Sequence, residues 1–222
     1  MITVNRRLFI ADLLCAGLLL AAACAAGASG SVARNRTGSP SPSASGSPHR
    51  LPTGFHRVSN VGKTISLGVP TEWAVIDLAG NPDADLARAG LDDPAIRAQV
   101  IEQLKAAGAL IVIDTKSRPT SSTSFLTNLI AFCSPAPGGA SVEALKSDTK
   151  MQLMQAGATN IQMTDTKLDG RPAVRTTFSG GLNGAETAAL VDGQKCAVTL
   201  STDQLPRYQR TFDQITATTD LT

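Results

Sequence analysis

The stretch from Asn160 to Ser201 decides the fold: Asn160–Leu168 (NIQMTDTKL), Asp169-Gly170, Pro172–Phe178 (PAVRTTF), Gly180-Gly181-Leu182-Asn183-Gly184, Glu186–Val191 (ETAALV), Asp192-Gly193 and Lys195–Ser201 (KCAVTLS). Four runs of strand length alternate with short turn sequences. Two of the joints are Asp-Gly, the pair that accepts the left-handed backbone of a tight hairpin. Four consecutive strands joined in this way predict an antiparallel sheet.

The segments before and after supply its covering. Strands are predicted at Phe55–Ser59, Thr64–Val69 and Ala74–Leu78, with Pro70-Thr71-Glu72 turning between the last two. A helix is predicted from Pro94, capped by Asp92 or Asp93, stopped at Gly108, with Ile96, Val100, Ile101 and Leu104 on its inner face. Leu110–Ile113 is apolar at every position, the pattern of a central strand covered on both sides. A further strand is predicted over Ser124–Cys133. A second helix opens near Ser141, turns Val142, Leu145, Thr149 and Leu153 inward, and ends at Gly157. Leu205, Tyr208, Phe212 and Ile215 recur at spacings of three and four and predict a closing helix. Hairpin strands separated by helices make an α+β domain, an antiparallel β-sheet with helices packed on its faces.

About 170 residues suffice for a core without metal or dense disulfides. What precedes them reads differently. Asn5-Arg6-Arg7 leads into an apolar run from Leu13 to Leu20 and then Ala21-Ala22-Ala23-Cys24. A basic start, a core too short to span a bilayer and small residues before a cut are the marks of an export signal, residues 1–23. Ala23-Cys24 suits lipid attachment, since the modified cysteine becomes the first mature residue. Ordinary cleavage within Ala25–Gly30 is the alternative, and Cys15, after Leu14, fits poorly. The arginine pair also suits the twin-arginine route. Residues 24–53 are mostly Ala, Gly, Ser, Pro, Arg and Thr and predict a disordered tether. The domain then occupies residues 54–222. A diacyl unit with an amide-linked palmitate-type chain would hold Cys24 stably in the bilayer, so the expected location is the cell membrane, on its extracytoplasmic face.

Charge narrows the partners. The chain carries 20 Lys and Arg against 18 Asp and Glu, a formal +2. Without the leader it is near neutral, which argues against nucleic acid. With one Trp and one Tyr, stacking platforms for sugars or bases are not expected.

Candidate chemistry is sparse. Gly62-Lys63-Thr64 has the ending of a phosphate loop, but Arg57 stands where the first glycine is needed and a strand follows, so a hairpin turn is expected. Ser147 and Lys150 have the serine–lysine spacing of penicillin-binding enzymes, but they fall in mid-helix without the partner motifs, and a solvated helix face is expected. His49 belongs to the tether and His56 to the first strand, so neither a histidine triad nor a His-based metal site is expected inside the domain. Asp83, Asp85, Asp92 and Asp93 read as helix-start residues rather than acid–base or calcium pairs. No cofactor is expected. Cys133 and Cys196 are the only cysteines in the domain, both on apolar strands of an exported protein. They are either a disulfide, closing a loop of about 60 residues and contributing roughly 4 kcal/mol, or two separately buried thiols.

Several short stretches carry a resemblance. They are Val69-Pro70-Thr71-Glu72-Trp73, Thr127-Asn128-Leu129, Gly157-Ala158 with Asn160-Ile161, Leu168-Asp169-Gly170-Arg171-Pro172-Ala173, and Phe212-Asp213-Gln214-Ile215. In order and spacing the domain resembles the actinobacterial LpqN/LpqT-type lipoproteins, which share the α/β/α sandwich of the photosystem PsbP subunit. Cys196 departs from that group, whose members often carry an aromatic there. The resemblance implies a non-catalytic binding or accessory module of the cell envelope. Its partners would be the bilayer through Cys24 and an envelope protein or a small apolar ligand between sheet and helix. The alternative is a small envelope hydrolase whose site is not written as a motif; with no other histidine, its base would be a lysine or a carboxylate.

Overall fold

The computed structural model describes residues 49–222, except 89–90, 92, 118–125, 137–140 and 181–182. Among the described residues, ten strands form two antiparallel sheets. The larger has the order β3-β4-β5-β9-β8-β7-β6, built from β3 (Ala74–Val75), β4 (Leu110–Ile113), β5 (Asn128–Pro135), β6 (Ala158–Leu168), β7 (Arg171–Gly180), β8 (Gly184–Val191) and β9 (Gln194–Ser201). The smaller has the order β1-β2-β10, from β1 (Phe55–Ser59), β2 (Ile65–Pro70) and β10 (Asp220–Leu221). The helices are α1 (Pro82–Arg88), α2 (Pro94–Ala106), α3 (Val142–Gln155) and α4 (Leu205–Ala217).

Alternation along each strand sorts side chains to the two faces of the large sheet. Leu110 and Val112 of β4 join Leu129, Val198 and Leu200 in one core with Ile65, Leu67 and Val69 of the small sheet and Tyr208, Phe212 and Ile215 of α4. Ile111 and Ile113 point the other way, into a core with Leu86, Val100, Ile101 and Leu104 of α1 and α2. Farther along that same face, Leu145 of α3 packs on Val174, Ala188 and Ala197, and Leu153 packs on Phe178. The result is α2 and α3 on one side, and α4 with the small sheet on the other. This is the expected α+β class.

The local signals act as their chemistry requires. Asp169 (φ 50°) and Gly170 (φ 71°), and Asp192 (φ 48°) and Gly193 (φ 79°), take the left-handed conformation of type I′ turns. Asp93 caps α2 by accepting from the Ala95 and Ile96 N–H groups, and Ser141 caps α3 by accepting from Ala144 N–H at 3.1 Å. Gly62-Lys63-Thr64 is the β1–β2 turn, with Lys63 N–H bonded to the Asn60 carbonyl at 3.0 Å.

Some expectations are corrected. The strand expected over Ala74–Leu78 ends at Val75, because the Asp77 carboxylate accepts from Ala79 N–H and turns the chain away. The strand expected from Ser124 begins at Asn128 and runs on to Pro135, and residues 118–125 lie outside the described residues. Leu110–Ile113 is buried on both faces but lies second from the edge; β9 is central, flanked by β5 and β8. Periodicity failed there because two covering layers, not position in the order, make a strand apolar throughout. Helix α1 and strand β10, with seven and two residues, are too short to carry a period. Asp83 and Asp85 sit in the first turn of α1, and Asp83 also binds Arg97 at 2.6 Å; Asp92 lies outside the described residues.

At Gly184, where β8 starts against β9, an added Cβ would lie 2.1 Å from the Leu200 carbonyl oxygen and 2.9 Å from the Phe178 ring. Backbone cannot swing aside as a side chain can. Gly184→Ala is expected to lower stability by about 2 kcal/mol or more, read as a lower midpoint in urea unfolding.

Candidate functional site

Helix α3 carries the surface of greatest interest. Its inner stripe is Leu145, Asp148, Thr149 and Leu153. The helical period therefore places Ser147, Lys150, Met151, Met154 and Gln155 outward, where they line an open depression of about 400 Å³. Met151 is 50% and Met154 58% exposed; among the described residues the other exposed large apolar side chains are Val61 and Val75, which lie apart from them in the chain. Ser147 and Lys150 thus belong to a solvent-facing, methionine-lined patch.

Beneath the patch, α3 is fastened by charge. Lys195 projects from β9, 4% exposed, and its Nζ donates to Thr149 Oγ1 and Gln152 Oε1, both at 3.0 Å. The same Nζ lies 3.5 Å from Asp148 Oδ2 and 3.4 Å from Glu186 Oε1. Glu186 accepts further hydrogen bonds from Thr149 Oγ1 and Thr199 Oγ1. A buried carboxylate is tolerable only with such partners, and here one ammonium serves two. The Thr149 hydroxyl beside Lys195 has the residue types of a nucleophile and a base. It is 1% exposed, so a substrate carbonyl has no approach to it.

On the opposite face, Tyr208 Oη donates to Asp114 Oδ2 at 2.7 Å. Burial, and then the hydrogen bond to this carboxylate, push the phenol above its ordinary value of 10.0. Trp73 meets the Tyr208 ring edge-on at 6.1 Å. Arg175 lies over the Phe212 ring at 4.1 Å and bonds Asp213 at 3.1 Å; burial lowers its pKa and Asp213 opposes that. These contacts fix α4 to the sheet.

A third cluster lies where the chain enters the domain. His49 Nε2 stands 3.5 Å from Asp169 Oδ1 and 3.7 Å from Asp220 Oδ1, and the three ligand atoms lie within 4.8 Å of one another. The histidine that the sequence groups with the tether therefore rests on the folded surface. Arg57 bonds Asp220 and donates to the His49 carbonyl at 2.9 Å, so the group already holds a cation of its own. Leu51 packs over Gly68, where an added Cβ would come within 2.6 Å of it. His56 lies on β1 opposite Val69, away from any such group. Cys133 and Cys196 are directly opposite on β5 and β9, Cα atoms 4.0 Å apart, and are joined by a disulfide. Cys24 lies outside the described residues.

Sequence reasoning missed the Lys195 cluster and the His49 cluster. Their members are far apart along the chain, and only the sheet register and the hairpin ends bring them together. Met151 and Met154 were legible as positions opposite the predicted inner stripe of α3.

No protein-family model and no curated protein matches the chain. Among solved structures it is similar to the solution structure of cyanobacterial PsbP (CyanoP) from Synechocystis, at 15% identity over 82% of this chain and 98% of that one, with a TM-score of 0.46. It is also similar to the Saccharomyces cerevisiae Ran-binding protein Mog1p, at 10% identity over 75% of this chain and 95% of that one, with a TM-score of 0.42. At such values function rests on the side chains alone.

Two outcomes follow from the buried groups. Lys195→Met leaves Asp148 and Glu186 without their cation and is expected to cost about 3–5 kcal/mol, part of which a second change, Glu186→Gln, recovers; urea unfolding of the single and double variants checks this. Tyr208 holds its proton more tightly folded than unfolded, so its stabilisation is complete below the ordinary tyrosine value and is lost as pH rises above it. Tyr208→Phe is expected to be less stable at neutral pH, and to lose less stability than the wild type above pH 10.0, in unfolding curves recorded along the alkaline limb.

Proposed function

We propose that this chain is an extracytoplasmic lipoprotein of the LpqN/LpqT type, a PsbP-like domain tethered to the membrane through Cys24 and acting as a non-catalytic binding or accessory module of the cell envelope. The observation that carries the binding role is the Met151–Met154 patch on α3. Flexible, polarisable methionines on an outer surface adapt to varied apolar partners, and a rigid charged underside keeps the helix from turning them inward. The leader, with Ala23-Cys24 at its end, supports the anchor. Leu145 of α3 packs directly on Val174, Ala188 and Ala197, and the outward patch of the same helix is where an apolar ligand or an envelope protein would be met. Against the hydrolase alternative stands the burial of the Thr149 hydroxyl next to Lys195.

The test is made in cells expressing the full chain. Cys24→Ala is expected to abolish palmitate labelling and move the protein from the membrane fraction to the soluble one. A photo-crosslinking residue at Met154 is expected to capture a partner that the same residue at Val61, also exposed, does not. Retention of the Cys24→Ala protein in the membrane fraction would refute the anchor, and labelling by a serine- or threonine-reactive probe would favour the hydrolase.

A further inference from the structure

The large sheet ends on β3, two residues long, at one side and on β6, eleven residues long, at the other. A short edge strand offers little to pair with, whereas a long one offers a row of unpaired N–H and C=O groups. The turn at Asp169-Gly170 fixes which groups those are. In a two-residue hairpin the flanking residues, here Leu168 and Arg171, form a hydrogen-bonded pair, and bonding alternates from there. Leu168, Thr166 and Thr164 therefore turn their backbone groups to β7, and Lys167, Asp165, Met163 and Ile161 turn theirs outward. Among the described residues no strand pairs with them. A register shift between Ala158 and Asn160 confines the regular part of this edge to its second half and centre.

We propose that β6 is the surface by which two copies of this chain pair edge to edge, antiparallel, about a two-fold axis at Thr166. The argument is charge complementarity. Asp165 and Lys167 are both exposed, lie on the same face and both present outward backbone groups. An axis at Thr166 sets Asp165 opposite Lys167 of the second copy and Lys167 opposite Asp165 of the second copy, and both pairs are hydrogen-bonded pairs of the new ladder. Moving the axis to Asp165 sets two carboxylates face to face. Moving it to Thr164 sets Asp165 against Met163 and Lys167 against Ile161. Only at Thr166 does the segment neutralise itself twice. The two copies of α3 then lie on the same side of the joined sheet, each beginning near the axis, because Lys146 of α3 bonds Asp165. The ladder is short, so the association is a weak one.

At the axis the two Thr166 residues form a non-hydrogen-bonded pair, whose Cα atoms in an antiparallel ladder stand about 4.5 Å apart. Thr166→Cys in the full chain is therefore expected to form an interchain disulfide under mild oxidation. The wild-type chain, with its native cysteines, serves as the control, and Thr164→Cys is expected to give at least tenfold less product. Adding Lys167→Asp to Thr166→Cys should reduce the yield at least tenfold, and adding Asp165→Lys to that pair should restore it. A yield at Thr166→Cys no higher than wild type, an equal yield at Thr164→Cys, or indifference to Lys167→Asp overturns the proposal.

Discussion

The register of β9 is the constraint on which the rest of the structure depends. Along this strand Lys195, Ala197 and Thr199 face α3, and Cys196, Val198 and Leu200 face the core under α4. A slip of one residue would exchange the two sets, bringing an ammonium toward Phe212 and Ile215 and a leucine toward Asp148 and Glu186. Three devices prevent it. Asp192-Gly193 closes the hairpin to β8 in a turn that admits a single length, the Cys133–Cys196 bond ties β9 covalently to β5, and Gly184 lets β8 begin close against Leu200. With β9 fixed from both neighbours, every strand outward from it inherits its facing.

That constraint explains why the inner stripe of α3 sets Asp148 and Thr149 between Leu145 and Leu153, where a usual surface helix is apolar throughout. Its inner stripe must meet Lys195 and Glu186, which the register delivers to that face, so Asp148 and Thr149 occupy positions where apolar residues would ordinarily stand. Ionic groups in such a layer contribute little net stability beside an apolar filling, but they resist sliding, because each hydrogen bond has one partner at one place. The methionines are then surplus to packing, and their exposure calls for a different explanation from burial.

How much of this was legible in the sequence divides along a physical line. Features set by near neighbours were readable: the Asp-Gly turns, the Asp93 and Ser141 caps, the stripe of α4 and the limits of β1 all follow from residues within a few positions of one another. Features set by register were not. Lys195 is one polar residue in an otherwise apolar strand, and nothing local distinguishes it from an edge lysine. His49 is surrounded in sequence by Ser, Pro and Arg, the composition of a linker, yet it meets Asp169 and Asp220 because the β6–β7 hairpin and β10 end at the same corner. The separation of β1, β2 and β10 into a sheet of their own was also hidden, since β10 is two residues long and has no pattern to read.

The same corner gives the molecule a direction. The chain enters at His49, beside the β6–β7 turn, and β6 runs from Ala158 to that turn over about 33 Å. Helix α3 lies along β6 in the opposite sense: Lys146 is near Asp165, toward the turn, and Leu153 packs with Ala158, at the far end. Met154 is therefore carried on the half of α3 remote from the point of entry. The methionines and the point at which the N-terminal segment joins the domain thus lie toward opposite ends of the α3–β6 layer, because an antiparallel packing of helix on strand carries the end of one to the start of the other.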